Sequence, residues 1–245
     1  MEEQTVSDDS REDSWSRADA YFDILAHDVT NLISPIMVHA EFISLDKELP
    51  RDVRVSAARI VRLIRRTANF IMSFRMLHEV ASNPPRESGT FDLNGLAALM
   101  RATLSSEYPF KKPSISVDTP SNEPLRVVGA DYLGRILMGF ADNAVRNASK
   151  TEVEVQIIAR KLRHEDGHEM LRFEVIDDGP GIPDDLKAEL VVPFESSKRL
   201  ARRSPSSLMF YSAILERLGG RMMIEDRIPG DMRKGTRAIA EIPVE

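Results

Sequence analysis

The sequence predicts an all-α helical hairpin followed by an α+β layer, and three observations predict it. Apolar residues repeat at spacings of three and four over two long stretches in the first third of the chain. The repeat stops at a breaker cluster, Ser82-Asn83-Pro84-Pro85-Arg86-Glu87-Ser88-Gly89. Beyond it, helical stretches interleave with short runs of alternating hydrophobicity. This divides the chain into a disordered acidic tail over 1–17, a helical hairpin over 18–82, a linker over 83–90 and a second domain over 91–245.

Residues 1–17 are rich in Ser, Asp and Glu and poor in apolar groups, so they bury too little surface to offset chain entropy. From Phe22 the seam Phe22, Leu25, Val29, Leu32, Ile36, His39, Ile43 defines a first helix to about Lys47. After the turn Glu48-Leu49-Pro50, the positions Val53, Ala57, Ile60, Ile64, Thr67, Ile71 and Phe74 define a second, antiparallel helix. Two helices leave apolar surface uncovered, and dimerisation into a four-helix bundle is the simplest way to bury it. Pro35 cannot donate to the carbonyl of Asn31, so a kink is expected there. In the second domain, helices are expected around 92–106, 131–149 and 205–218. Strands are expected at Ile115–Val117, Val153–Ile157, Leu171–Val175, Met222–Ile224 and Arg237–Ile242. Glu165-Asp166-Gly167-His168 reads as a hairpin connection, which makes part of the sheet antiparallel.

Composition narrows the function classes. A net charge of -6 with 29% charged residues gives no basic excess, which argues against a general nucleic-acid binder. The absence of cysteine excludes disulfides and thiolate metal sites. No apolar run reaches the roughly 18 residues of a membrane span, and Met1-Glu2-Glu3-Gln4 is acidic where an export signal would be basic. A cytoplasmic protein without its own membrane insertion is expected.

Two regions carry candidate chemistry. In Ala26-His27-Asp28-Val29-Thr30-Asn31, seam positions 25 and 29 bracket His27 and turn it to solvent, with Asn31 one turn on along the same face. That is a candidate phosphoacceptor. Asp142, Asn143, Arg146 and Asn147 lie within about a turn and a half of a helix, and spacings of three and four bring Asn143, Arg146 and Asn147 to one face, where an amide oxygen suits Mg²⁺ and a guanidinium suits phosphate; a plain solvated face has the same composition. Asp177-Asp178-Gly179-Pro180-Gly181 ends a strand-like run, where a carboxylate suits an exocyclic amine, although Asp-Gly-Pro-Gly is equally good turn chemistry.

Read in order, His27-Asp28, Phe91-Asp92-Leu93-Asn94, Asp142-Asn143-Ala144, Asp177–Gly181, Pro193-Phe194-Glu195-Ser196-Ser197-Lys198, Leu218-Gly219-Gly220 and Gly235-Thr236 resemble the histidine kinases of two-component signalling across residues 20–245. The resemblance implies a dimerisation and phosphotransfer hairpin, then an α+β two-layer sandwich of the GHKL (Bergerat) ATPase type shared with gyrase, Hsp90 and MutL. It makes His27 the phosphoacceptor, with Asp28 holding and deprotonating the imidazole. Asn31 falls where the family orients water to dephosphorylate a response regulator. Asn143 would ligate Mg²⁺, Asp177 would read adenine, and Gly179 and Gly181 would shape the pocket wall. Arg146, Asn147 and Lys198 would meet ATP, Lys198 as a point charge near the terminal phosphates. The implied partners are a receiver domain of a response regulator, a second copy of the chain and a separate sensory protein. The arginines Arg51, Arg54, Arg59, Arg62, Arg65 and Arg66 offer a basic face to an acidic receiver, or are a solvated helix face.

The chain departs from the pattern in two places. Where the family carries a second glycine box, it has Arg203-Ser204-Pro205-Ser206-Ser207-Leu208, without glycine, and Pro205 offers no N–H to a phosphate. Gly139 stands where an additional asparagine is usual. The first expectation is therefore an autokinase; the alternatives are an ATP-independent histidine phosphotransferase, or a pseudokinase or phosphatase scaffold in a phosphorelay. Of the other histidines, His39 and His78 fall on seams and are expected to be packed.

Overall fold

The computed structural model describes residues 8–85, 87–119, 125–163, 168–191 and 207–244. The chain forms two compact units, Met1–His78 and Glu79–Glu245.

The first unit is the helical hairpin. Helix α1 spans Asp8–Leu45 and α2 spans Arg51–Ser82, passing into the second unit at its last turn. Helix α1 starts within the stretch read as a disordered tail, so residues 8–17 are helical instead. No Gly or Pro lies between Asp8 and Ser34 to stop the helix from extending backwards from its amphipathic part. The helix continues through Pro35. The turn closes through Glu48 N donating to Asp46 Oδ1 at 2.9 Å and Arg54 N donating to the Pro50 carbonyl at 3.1 Å. Arg65 pairs with Glu41 at 2.7 Å, tying the antiparallel helices together.

The stripe α1 buries is Ala26 and Ala40, with Val29, Ile33, Met37 and Ser44 half-buried between and beyond them. It is offset from the expected seam, whose Leu32, Ile36 and Ile43 are exposed along with Phe42. His39 is likewise exposed, not packed, and His78 is half-buried. On α2, Ala57, Ile64 and Ile71 lie on the covered side as expected, joined by Val61, while Val53 and Ile60 are exposed. Doubled apolar positions explain the offset: Leu32-Ile33, Ile36-Met37 and Phe42-Ile43 satisfy two adjacent seams at once.

The second unit is a two-layer sandwich. Its main sheet runs β2(Lys112–Asp118), β4(Glu152–Arg163), β5(Glu169–Asp177), β7(Asp231–Pro243), β6(Arg221–Ile228) in that spatial order. Only β2 and β4 are parallel in it; the other neighbours are antiparallel. Helices α3(Leu93–Glu107), α4(Ala130–Asn147) and α6(Ser207–Arg217) form the other layer. Val153, Val155, Ile157, Phe173 and Ala240 from the sheet, with Leu133, Ile136, Leu137, Ile214 and Leu215 from the helices, make the core. Asp92 caps α3, its Oδ1 accepting from Gly95 N at 2.9 Å.

Three short elements were not expected: β1(Ser88–Phe91) and β3(Leu125–Val128), which pair antiparallel in a small second sheet, and α5(Asp184–Leu190). The β1–β3 pairing takes Ser88–Thr90 out of the linker. Lys187 of α5 bridges Asp184 at 2.6 Å and Asp226 of β6 at 2.5 Å, which anchors that helix to the sheet.

The turn between α3 and β2 holds the end of α4. Lys111 Nζ donates to the carbonyls of Val145, of Arg146 at 3.1 Å and of Ala148 at 2.9 Å, satisfying acceptors the helix leaves open. Burial lowers the Lys111 pKa below the ordinary lysine value.

On the outer face of the sheet, Glu241 is completely buried between two arginines. Arg172 Nε donates to Oε1 at 2.6 Å and Arg221 Nε donates to Oε2 at 2.5 Å. Burial opposes the charge of Glu241, but Arg221 and Arg172 outweigh it and hold the carboxyl below its ordinary range.

Candidate functional site

Helix α1 sorts its residues by face: Ala26 is buried while its neighbours His27 and Asp28 are 70% and 64% exposed at the side chain. Adjacent residues on a helix do not normally face each other, yet His27 Nδ1 lies 3.3 Å from Asp28 Oδ1. Asn31 Nδ2 lies 3.2 Å from both ring nitrogens. If Asp28 accepts from Nδ1–H, Nε2 carries the lone pair, and the Asn31 amide can donate only to Nε2. The three residues thus form one solvent-facing cluster in which Asp28 and Asn31 both reach the imidazole.

Helix α4 carries a second polar cluster. Asp142, largely buried, splits its oxygens: Oδ1 accepts from the Tyr108 hydroxyl at 2.6 Å and Oδ2 from Arg146 Nη1 at 2.7 Å. The other arm of that guanidinium, Nη2, donates to Asn143 Oδ1. Asn147 Nδ2 donates to the Asn143 carbonyl at 2.9 Å. Asn143 Nδ2 is buried with no partner among the described residues. Rotating the amide would aim this donor at Arg146, so the carbonyl-to-Arg146 orientation stands and the buried N–H₂ is left facing a position that an acceptor would fill. Burial, then the Asp142 charge, pushes the Tyr108 hydroxyl well above the ordinary tyrosine pKa, so it is a donor throughout the working pH range.

The third cluster lies at the end of β5. Asp177 pairs in register with the buried Val155, which points its side chain toward the helix layer. Its Oδ1 accepts from Gly179 N at 2.8 Å and Thr236 N at 3.4 Å; no described residue donates to Oδ2. Burial raises its pKa above the ordinary aspartate value, with the two backbone amides pulling the other way. Gly181 and Gly235 have φ of +74° and +113°, and a Cβ at either would strike backbone, the Met232 carbonyl and the Asp177 carbonyl respectively. The chain's own strands take up the space at those glycines and close around Asp177. Asp178 turns away to pair with Lys150.

Among the described residues no group of three or more His, Asp or Glu side chains converges as a metal cage. Lys198 and most of the glycine-free segment lie outside the described residues. Asp142 lies in a stretch whose composition already marks it, whereas Tyr108 carries no such signal in the sequence and joins the cluster only through the fold.

Residues 129–245 match the family described as histidine kinase-, DNA gyrase B-, and HSP90-like ATPase. The second unit carries an ATPase domain of that family. It is 27% identical over 190 residues to the sensory histidine kinase/phosphatase NtrB of Rhodobacter capsulatus, covering 72% of this chain and 50% of that one. It is 24% identical over 181 residues to the sensor histidine kinase TmoS of Ectopseudomonas mendocina, covering 71% of this chain and 18% of that one. The chain thus spans half or less of the length of these relatives. Two solved structures share the fold. Full-length ShkA in complex with AMPPNP has a TM-score of 0.57 at 19% identity, covering 92% of this chain and 46% of that one. The Acinetobacter baumannii histidine kinase AdeS has a TM-score of 0.54 at 16% identity, covering 89% and 95%. A helical hairpin followed by an α/β sandwich is therefore the fold this chain shares with these two structures. No helix among the described residues is long and apolar enough to cross a membrane.

Proposed function

We propose that this chain is a sensor histidine kinase that phosphorylates itself on His27 with the γ-phosphate of ATP and passes the group to an aspartate of a response-regulator receiver. The observation that carries the reading is the half-open carboxylate of the half-buried Asp177: one oxygen is fixed by two backbone amides, and the other, to which no described residue donates, suits the exocyclic amine of adenine. An ATP analogue bound to ShkA, a protein of the same fold, supports it.

The chain's residues then have these parts. Asp28 accepts Nδ1–H of His27 and keeps Nε2 unprotonated. As Nε2 attacks, its lone pair forms the N–P bond while the bond from phosphorus to the β–γ bridging oxygen breaks, and ADP departs with that oxygen's charge. Asn31 must first release Nε2, to which it is hydrogen-bonded at rest. The unpartnered N–H₂ of Asn143 suits a phosphate oxygen, and Asn143 Oδ1, which accepts from Arg146 at rest, would supply a Mg²⁺ ligand once Arg146 turns to phosphate; Mg²⁺ would neutralise charge on the transferring group. Arg146 and Asn147 border that position, and Lys198 would approach the terminal phosphates.

The exposed apolar residues Leu32, Ile36 and Phe42 on α1 and Val53, Ile60 and Leu63 on α2 support a homodimeric four-helix bundle. Input then comes from a separate sensory protein or from sequence beyond this chain.

The test is incubation with Mg²⁺ and γ-labelled ATP beside His27→Ala. Acid-labile, base-stable label confined to the protein with His27 is expected. A second reading, a relay or phosphatase without autokinase activity, is favoured by the glycine-free stretch from Arg203 to Leu208 and by Asn31 beside His27. Unlabelled protein that nevertheless takes phosphate from, or strips it off, a phosphorylated receiver would establish that reading.

A further inference from the structure

We infer that Tyr108 is a positioning residue of the nucleotide site: by occupying one oxygen of Asp142, it keeps one arm of the Arg146 guanidinium off that carboxylate and directed to Asn143, where phosphate can meet it. The inference rests on the nucleotide reading above and concerns a residue outside every motif that carries it.

The geometry is a chain of four groups. Tyr108, at the C-terminal end of α3, donates its hydroxyl to Asp142 Oδ1 at 2.6 Å. Asp142 is then left with a single strong acceptor for Arg146, and Oδ2 takes Nη1 at 2.7 Å. A carboxylate with both oxygens available pairs with a guanidinium through two parallel bonds, engaging both arms. Here the tyrosine hydroxyl takes one of those oxygens, and Nη1 alone pairs with the other. Nη2 is directed instead to Asn143 Oδ1, on the side where the unpartnered Asn143 Nδ2 marks a place for an acceptor. A phosphate oxygen arriving there can take Nη2 while Nη1 stays on Asp142, so the cation is held ready at no cost in new side-chain ordering.

Removing only the Tyr108 hydroxyl leaves Asp142 Oδ1 buried without its donor. The carboxylate then recovers a partner by rotating onto the guanidinium fork, which draws Nη2 away from Asn143. Tyr108→Phe keeps the ring and its packing, so the fold is retained and the effect is confined to this arm.

The measurement is calorimetric binding of adenosine and of AMPPNP, both in EDTA so that no metal contributes, to the full chain and to Tyr108→Phe, Arg146→Ala and the double variant. The affinity ratio of AMPPNP to adenosine isolates the phosphate-dependent part. Tyr108→Phe is expected to lower this ratio about tenfold, the scale of one hydrogen bond to a charged group, with adenosine affinity unchanged. The double variant is expected to match Arg146→Ala, because the tyrosine acts only through that arginine. An unchanged ratio in Tyr108→Phe, an equal loss for adenosine and AMPPNP, or additive losses in the double variant would overturn the inference while leaving the nucleotide reading intact. Failure of the unmodified chain to bind adenosine would overturn the nucleotide reading and this inference with it.

Discussion

The ring of Tyr211 occupies the space beside Gly139: a Cβ built on that glycine would lie inside the contact distance of the tyrosine hydroxyl and ring. Tyr211 is buried, and it also meets Phe140 edge-on, with ring centroids 5.9 Å apart. The absent side chain at Gly139 on α4 and the ring of Tyr211 on α6 thus share one space between two helices.

Gly139→Ala should consequently destabilise the protein, by about 1–2 kcal/mol, because overpacking exceeds the helix-propensity gain of alanine over glycine. In a Tyr211→Ala background the same change should stabilise, by about 1 kcal/mol, since only the propensity gain remains. Urea unfolding of the four proteins reads the sign reversal; equal effects in both backgrounds would refute the volume exchange.

Asp177→Asn keeps an oxygen for the amides of Gly179 and Thr236 but presents an N–H₂ to the adenine amine, donor against donor. ATP affinity should fall by about 2 kcal/mol, roughly thirtyfold. Burial raises the folded pKa of Asp177 above its ordinary 3.8, so its ionised form costs stability at pH above that value. The asparagine variant should accordingly unfold no earlier than the unmodified chain at neutral pH. For the same reason ATP binding by the unmodified chain should weaken on acidification from a pH higher than 3.8. Calorimetry across a pH series checks both.

Glu241 gives the opposite slope. Its carboxyl is held below the ordinary 4.5 in the folded state, so its contribution is fully present above that pH and is lost as pH falls through the folded value. Glu241→Gln should cost about 2–3 kcal/mol at neutral pH, a figure discounted because Arg221 is 53% exposed and solvent screens it. The variant should lose that portion of the acid sensitivity, so that the two unfolding curves converge on acidification. Curves that stay parallel would assign the acid limb to other carboxylates.

Ile36→Arg places a charge in the exposed apolar stripe of α1, where the side chain is 53% exposed in the single chain. Sedimentation equilibrium should show the unmodified chain as a dimer and the variant as a monomer with its sandwich unit still folded. A variant that remains dimeric would move the interface elsewhere on the hairpin.

The sequence made the long amphipathic helices and the central strands legible because each carries several repeats of its own period. It misplaced the covered stripe of α1 because residues such as Leu32-Ile33 serve either of two seams, and a helix can rotate by one residue without changing its pattern. The small sheet escaped notice since Ser88-Gly89-Thr90-Phe91 is too short for a period and contains a residue that usually marks a turn. The site shows the same division. His27, Asp28 and Asn31 are neighbours on one helix, and spacing alone brings them together. Asn143, Arg146 and Asn147 share a face for the same reason. Thr236 reaches Asp177 across two strands, and Tyr108 reaches Asp142 across two helices; no local rule connects residues 59 or 34 positions apart.

The turn that carries Tyr108 also carries Lys111, and both reach α4, one at Asp142 and the other at the carbonyls past Val145. The stretch between them works as a gauge: its length fixes where along α4 each tooth engages. An added residue there would shift one grip by a full step while leaving the other in place, so this short turn has less freedom to change length than an ordinary surface connection.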